Sequence, residues 1–302
     1  MRVLVTGGAG FIGSNVVKIL EDKGAKVFIL DDFSHSSYKN LLDTQAEIIC
    51  ADILDENIYK KLPKIDAVIH EAAITDTILD DDTKMMKVNF KGFKNVLSYC
   101  LSKKIRLVYA SSAGVYGSGT APMKENQKIV PHNIYAYSKY LCDCETQRIM
   151  KKKGAPIIVG LRYFNVYGPN EYHKGSAASM TYQLYLQMKA GKNPRVFKHG
   201  EQKRDFIYVK DVARITVQAL KSKKSAILNV GTGNPRSFND IIFNLNKALK
   251  TSLNIDYFDN PYQDKYQDYT EADPTLLIKT LKTSAEFSLE KGIEDYVKNH
   301  LF

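Results

Sequence analysis

The sequence predicts a doubly wound α/β fold, a parallel sheet covered by helices on both faces. Three observations predict it. Through the first half of the chain, short apolar runs that are continuous rather than alternating recur, each followed by a helical stretch, the pattern of strands buried on both faces. The first run ends in a glycine-rich turn, "VTGGAGFIGSN" at 5–15, which passes directly into an amphipathic helix. After about residue 165 the alternation loosens, which predicts a second, smaller lobe.

The elements follow in order. "RVLVTG" is the first strand and "GSNVVKILEDKG" the first helix, then "KVFILDD", "AEIICADI" and "DAVIHEAA" read as strands. A long helical stretch near 83–103 precedes the strand "RLVYASS", a helix through 135–152 and the strand "PIIVGLRYFN". Sheets of this class place ligands beyond the carboxyl ends of their strands, so the loops after 6, 31, 52, 70, 110 and 163 are expected to line one crevice. Later helices are separated by "YGPNEYHKGSAAS", "NPRVFKHGEQKRDF" and "VGTGNPRSF", with a Tyr/Asp-rich stretch at 257–273. "RDFIYVKDVARITVQAL" followed by "AILNVGTG" reads as strand, helix and strand returning to the first lobe. The expected division is therefore residues 1–164, with a return segment at about 204–233, for a dinucleotide-binding lobe. Residues 165–203 and 234–302 then form a discontinuous substrate lobe, with the substrate in the cleft between.

Bulk properties narrow the class. The 302 residues are 44% apolar with no apolar run of 18 or more, and the chain opens on Arg2-Val3-Leu4-Val5 without a signal-peptide pattern, so a soluble, cytoplasmic protein is expected. Cys50, Cys100, Cys142 and Cys144 show no CxxC spacing and are expected to be buried structural thiols; no metal site is expected. The net charge of +10 suits anionic ligands. Its small lysine clusters, Lys151–Lys153 and Lys221–Lys224, fall at predicted helix ends beside Gly154 and Ser225, where cations favour the helix dipole. Solvated helix ends explain them better than nucleic-acid binding.

The glycine turn fits G-x-G-x-x-G from Gly8 and G-x-x-G-x-x-G from Gly7, through Gly10 and Gly13. A strand before, a helix after and Asp31 at the end of the next strand make this a dinucleotide fingerprint: bare backbone approaches a diphosphate, a helix N-terminus attracts it, and Asp31 can bond the adenosine ribose. Asp52 can contact adenine or serve as a cap. Asp31 and Asp32 would repel a 2'-phosphate and favour NAD, whereas His35 and Lys39 could offset that for NADP, so the choice stays open.

Tyr135-Ala136-Tyr137-Ser138-Lys139 places Tyr135 and Lys139 four apart on one helical face. An ammonium near a phenol lowers the phenol's pKa from about 10 and lets it act as a base near neutrality. Ser112, in "YASSAGVYG" just beyond the fifth strand, could bond both the phenol and a substrate hydroxyl. Tyr137 is the wrong partner, because residues two apart on a helix do not face each other.

Gly turn, Ser112, Tyr135 and Lys139 together resemble the extended short-chain dehydrogenase/reductase family, whose members oxidise and reduce nucleotide sugars. The resemblance implies Tyr135 as acid/base, Lys139 as its ribose-binding partner and Ser112 as the hydroxyl-orienting group. It implies one tightly bound NADP or NAD per subunit, held by Gly7, Gly10, Phe11, Ile12, Gly13, Asp31, Asp32, Lys39, Asp52, Ile53, Glu71, Ala72, Ala73, Asn89, Tyr135, Lys139 and Val166. "RYFNVYGPNEYHKGSAAS" at 162–179, "KRDFIYVKDV" at 203–212 and "YQDYTEAD" at 266–273 carry the likeness into the substrate lobe. There the chain looks like the family's NADP-dependent isomerases that invert the C6 carbinol of an ADP-heptose for lipopolysaccharide supply. Lys174 then becomes a second acid/base on the opposite face of the sugar, with Ser112, Asn165, Ser176, Gln183, Phe197, Arg204 and Tyr266 at substrate positions. Arg204 also has a rationale of its own, since a guanidinium grips a diphosphate bidentately; an ion pair with Asp205 is the competing reading. The family also implies a homo-oligomer.

Two departures stand out: Gln183 where the family often carries a histidine, and a shortened "VFKHGEQKRDF". They bear on the sugar's identity, not on the redox chemistry. The alternatives are a UDP-hexose 4-epimerase, which would not need Lys174, and, from another class, a non-catalytic dinucleotide sensor or RNA-binding relative. A 4,6-dehydratase is disfavoured because Ala113 and Gly114 stand where such enzymes carry an Asp-Glu pair.

Overall fold

The computed structural model describes residues 1–76, 81–260 and 268–301. In chain order the strands are β1 (Arg2–Thr6), β2 (Lys26–Asp31), β3 (Glu47–Cys50), β4 (Ala67–His70), β5 (Arg106–Ser112) and β6 (Ile158–Tyr163). Then follow β7 (Asn165–Tyr167), β8 (Arg195–Phe197), β9 (Lys203–Arg204), β10 (Phe206–Tyr208), β11 (Ala226–Val230), β12 (Arg236–Ser237) and β13 (Asp256–Phe258). The helices are α1 (Phe11–Asp22), α2 (Ile58–Lys61), α3 (Asp82–Met86), α4 (Gly92–Lys103) and α5 (Ile134–Met150), then α6 (Met180–Lys189), α7 (Val209–Ala219), α8 (Phe238–Leu249), α9 (Thr275–Leu281) and α10 (Leu289–His300).

Seven strands form one parallel sheet in the order β11-β6-β5-β4-β1-β2-β3. Val5 of β1 lies between Ile29 of β2 and Ile69 of β4, which fixes the register at the sheet centre. Along β1 the side chains alternate faces: Val3 and Val5 join one core with Val16 of α1 and Ile215 of α7, while Leu4 joins the other with Phe93 and Val96 of α4. Both faces are buried, and that is why the strands read as unbroken apolar runs. Because the chain winds outward from β1 in both directions, the loop after β1 opens at the switch point, where a crevice forms.

The structure departs from expectation in three places. The predicted helix at 83–103 is broken by a π-helical turn at Lys87–Lys91, which carries the buried Asn89. β10 pairs with β7 in a two-stranded ladder rather than entering the large sheet, while α7 and β11 behind it do join the first layer. Cys100 and Cys142 are buried, but Cys50 is exposed on edge strand β3 and Cys144 is half-buried.

A separate core gathers Tyr167, Leu184, Phe206, Ile241, Ile293 and Tyr296 from β7, α6, β10, α8 and α10. α8 begins with a capping box in which Ser237 and Asp240 satisfy each other's backbone amides. α9 turns back to the sheet, where Leu277 and Leu281 enter the first core. Among the described residues no helix is long and apolar enough to cross a membrane.

Candidate active site

A cavity of about 570 Å³ opens at the carboxyl ends of β1, β2, β4, β5 and β6, lined by the loops that follow them. The glycine turn is its floor. Gly7 has φ +68°, and a Cβ there would lie 2.5 Å from the Ala72 amide nitrogen; a Cβ on Gly13 would lie 2.1 Å from the Gly7 carbonyl oxygen. These glycines therefore let the turn after β1 pass tightly against the loop after β4 and bring α1 onto the turn. Gly10 caps α1 with no side chain, and the first turn holds no acidic residue. Phe11, Ile12 and Gly13 line the cavity at that helix end, so its partial positive charge and unpaired amides face it. Such a cradle fits a dinucleotide diphosphate.

The carboxylate expected on the ribose is already engaged. Asp31 Oδ2 accepts from the Ala9 amide at 2.9 Å, and Oδ1 accepts from the Phe33 amide at 2.9 Å and from Ser36 Oγ at 2.8 Å. Asp31 thus fastens the glycine turn to the loop after β2, and any ribose contact would be added to these three bonds. Asp32 sits exposed on the rim with Oδ1 held by the Ser34 amide and hydroxyl. Ser34 and His35 line the cavity, while Lys39 is exposed and outside the lining. Asp52 lines it beside Ile53 and also caps its own turn, accepting from the Leu54 amide at 2.8 Å.

Glu71, Ala72, Ala73 and Val166 line the same cavity. The Glu71 carboxyl accepts from Tyr163 OH at 2.8 Å, and burial pushes it up to about 7 against the pull of that bond and of Lys139. Asn89 is not in the lining. Its Oδ1 accepts from the Ile74 amide and its Nδ2 donates to the Ile74 carbonyl and to Ser138 Oγ, so it braces the loop after β4 from behind.

Asn133 caps α5 by accepting from the Ala136 amide at 2.8 Å, which sets Tyr135 in the first turn and Lys139 one turn on. Lys139 is buried, donates from Nζ to the Ala110 carbonyl at 2.9 Å and lies 5.9 Å from the Tyr135 ring centroid. Ser112 ends β5 with Oγ accepting from the Gly114 amide at 3.1 Å. Tyr135, Lys139 and Ser112 all line the cavity.

Lys174 comes from the turn at Tyr172–Ala177, after β7, and lines this cavity too, its amine 5.5 Å from the centre of the Phe11 ring. Burial pulls its ammonium below the ordinary lysine value, and the charge of Glu171 partly offsets that. Its loop is tied to α1 and to the loop after β2: Asn15 Nδ2 donates to the Pro169 carbonyl, Asn170 Nδ2 to Ser14 Oγ, and Tyr172 OH to Ser37 Oγ.

The remaining substrate positions separate. Asn165 lines the cavity. Gln183 and Phe197 line a neighbouring cavity of about 820 Å³ that shares Met180 and Phe238 with the first. Ser176 is exposed, its carbonyl accepting from Gln183 Nε2, and Arg204 is buried in β9 outside both linings. The Asp205 carboxylate is taken by Thr232, Gly233 and Ala272, not by Arg204. Tyr266 lies outside the described residues. Reasoning from sequence missed His173, Phe206 and Phe238 in the lining and the buried Glu171 behind Lys174. Glu171 and His173 lie within the motif that carries Lys174, yet nothing in their spacing marks one as buried and the other as lining.

The family described as NAD dependent epimerase/dehydratase matches residues 3–231. An ADP-L-glycero-D-manno-heptose-6-epimerase of Brachyspira hyodysenteriae is 39% identical over 98% of this chain and 96% of that protein. The crystal structure of the Helicobacter pylori ADP-L-glycero-D-manno-heptose-6-epimerase superposes with a TM-score of 0.92 at 38% identity, covering 98% of this chain and 95% of that one. A UDP-glucuronic acid 4-epimerase of Bacillus cereus, solved with UDP-glucuronic acid and NAD, gives 0.86 at 30% identity and 99% coverage of both chains.

Proposed function

From the premise that the chain belongs to the NAD dependent epimerase/dehydratase family, we propose that it inverts C6 of ADP-D-glycero-D-manno-heptose, giving the L-glycero epimer. The observation that carries this reading is the convergence of two different proton-transfer groups, Tyr135 from α5 and Lys174 from the turn after β7, on one cavity. A 4-epimerase would need Tyr135 but not Lys174.

The glycine turn and the α1 N-terminus would hold a nicotinamide dinucleotide, and when bound its ring supplies a reversible acceptor for hydride. Inversion at a carbinol then demands a proton acceptor on one face and a proton donor on the other. Tyr135 serves one face, with Lys139 supplying positive charge beside the phenol and Ser112 orienting the hydroxyl. Lys174, whose ammonium burial destabilises, serves the other and gives up its proton more readily than an exposed lysine. One turnover would leave the pair with protonation exchanged, Tyr135 holding the proton it took and Lys174 lacking the one it gave. Gln183 and Phe197, which line the neighbouring cavity, would contact the substrate from there.

Asp32, on the rim with only one oxygen held by Ser34, favours NAD by repelling a 2'-phosphate. Asp32→Asn should narrow the preference for NAD over NADP by roughly tenfold, about the 1.4 kcal/mol that separates a repelled from a tolerated phosphate; titration of the stripped protein with each dinucleotide reads it. For the reaction, the sugar nucleotide is incubated with cofactor-loaded protein and the 6-epimer is followed by NMR. Tyr135→Phe and Lys174→Met should each lower turnover by roughly a hundredfold or more, the scale of a lost general acid/base, with the dinucleotide still bound. No conversion by loaded protein removes the substrate assignment, and a fully active Lys174→Met removes the two-base scheme.

A further inference from the structure

We infer that Glu171 is the positioning residue for Lys174, a buried carboxylate that closes the loop around that lysine and sets the charge it faces. The inference rests on the reading of Lys174 as an acid/base group.

Glu171 is completely buried. Its Oε1 accepts from the Gly168 amide at 2.9 Å, from Ser179 Oγ at 2.9 Å and from Tyr296 OH at 3.2 Å, and its Oε2 accepts from the Ser179 amide at 2.6 Å. Gly168 and Ser179 are the two ends of the loop that carries Lys174, so one side chain ties the loop shut at its base. The Lys174 amide also donates to the Glu171 carbonyl at 3.0 Å, which fixes the turn between the two residues. Four donors converge on this one carboxylate, three on Oε1 and one on Oε2, the pattern that suits its ionised, acceptor-only form. Burial pushes this carboxyl up, and the bonds from Gly168 and Ser179 and the Lys174 charge pull it back.

The charged and titratable groups around the pair come from three elements. Tyr182 of α6 and Tyr296 of α10 face Glu171, and both phenols are held up by its charge as well as by burial. His173, in the same turn, faces Lys174 and is pulled down by burial and then by the lysine. Against this setting Glu171 is the negative charge that acts on Lys174 and partly restores its protonated form. Tyr296 also stacks on Tyr182, so the C-terminal helix reaches the catalytic loop through this carboxylate.

Turnover is measured against pH for the wild type, Glu171→Gln and Glu171→Asp, all cofactor-loaded, with dinucleotide affinity and thermal midpoint recorded alongside. Glu171→Gln should bind dinucleotide within about twofold of wild type, leave KM within a few-fold and lower kcat at least tenfold. The limb of the pH profile that Lys174→Met abolishes should move to lower pH in Glu171→Gln and stay in place in Glu171→Asp, which keeps the charge. If the Gln variant does not load, Tyr296→Phe carries the test, and a several-fold loss of kcat at unchanged KM is expected. Unchanged kcat and an unmoved limb in Glu171→Gln, or unchanged kcat in Tyr296→Phe, overturn the inference. If Lys174→Met itself is fully active, the two-base reading fails instead, and the two failures are told apart.

Discussion

Replacing Glu71 by Gln should change the way stability depends on pH rather than simply lower it. The carboxyl is enclosed between Tyr163 of β6, Thr216 of α7 and the Lys139 side of the cavity; Tyr163 OH lies 2.8 Å from Glu71 and 2.8 Å from Thr216 Oγ1. Burial raises it from 4.5 to about 7, outweighing the Tyr163 bond and the Lys139 charge. Between those two values the folded protein holds a proton that the unfolded chain has released. This contribution is therefore full below about pH 4.5 and is lost as pH rises through about 7. At 1.36 kcal/mol for each pH unit between the two values, the loss is about 3 kcal/mol. Gln keeps an acceptor for Tyr163 and has nothing to ionise, so Glu71→Gln should gain on the wild type by that amount between pH 4.5 and 8. His70, next in the chain, titrates the opposite way, since burial and Lys139 hold it down at about 3 and its contribution is lost as pH falls below 6.5. It is common to both proteins and cancels in the difference. Urea unfolding of the stripped proteins at several pH values measures that difference, and a variant-minus-wild-type stability that is flat across the range refutes the reasoning.

Gly13→Ala must push the Gly7 carbonyl aside, because the new Cβ would sit 2.1 Å from it. Losing one or two charge-assisted bonds to a diphosphate, at about 1.5–3 kcal/mol each, predicts dinucleotide affinity down by roughly a hundredfold, read by titration calorimetry. Asp143→Ala removes the buried partner of Arg162, which it meets at 2.8 Å with both side chains at most 2% exposed. The stranded guanidinium should cost about 3–5 kcal/mol of unfolding free energy, and Asp143→Leu combined with Arg162→Met should recover most of it. Stability of the double variant below that of Asp143→Ala would contradict this account.

What the sequence by itself determined is what local periodicity and spacing can encode. Apolar runs buried on both faces specified the parallel sheet, since a strand's side chains alternate faces and no face of β1 or β2 is left polar. The glycines specified the turn, because only a residue without a Cβ fits under Ala72 and against the Gly7 carbonyl. A four-residue interval put Tyr135 and Lys139 on one helical face. The tertiary structure alone decided which distant groups meet. Asp31 serves the Ala9 amide of the glycine turn, Asn89 braces Ile74 from behind, Arg204 and Ser176 stand away from the main cavity, and Lys174 reaches across to Phe11. Each of those outcomes depends on hydrogen-bond and packing partners fifteen or more residues away or on burial, and short-range spacing carries no information about either. The loop of Lys174 shows this best: its motif is continuous in sequence, but its shape is held by a carboxylate whose last donor, Tyr296, lies 125 residues further along the chain.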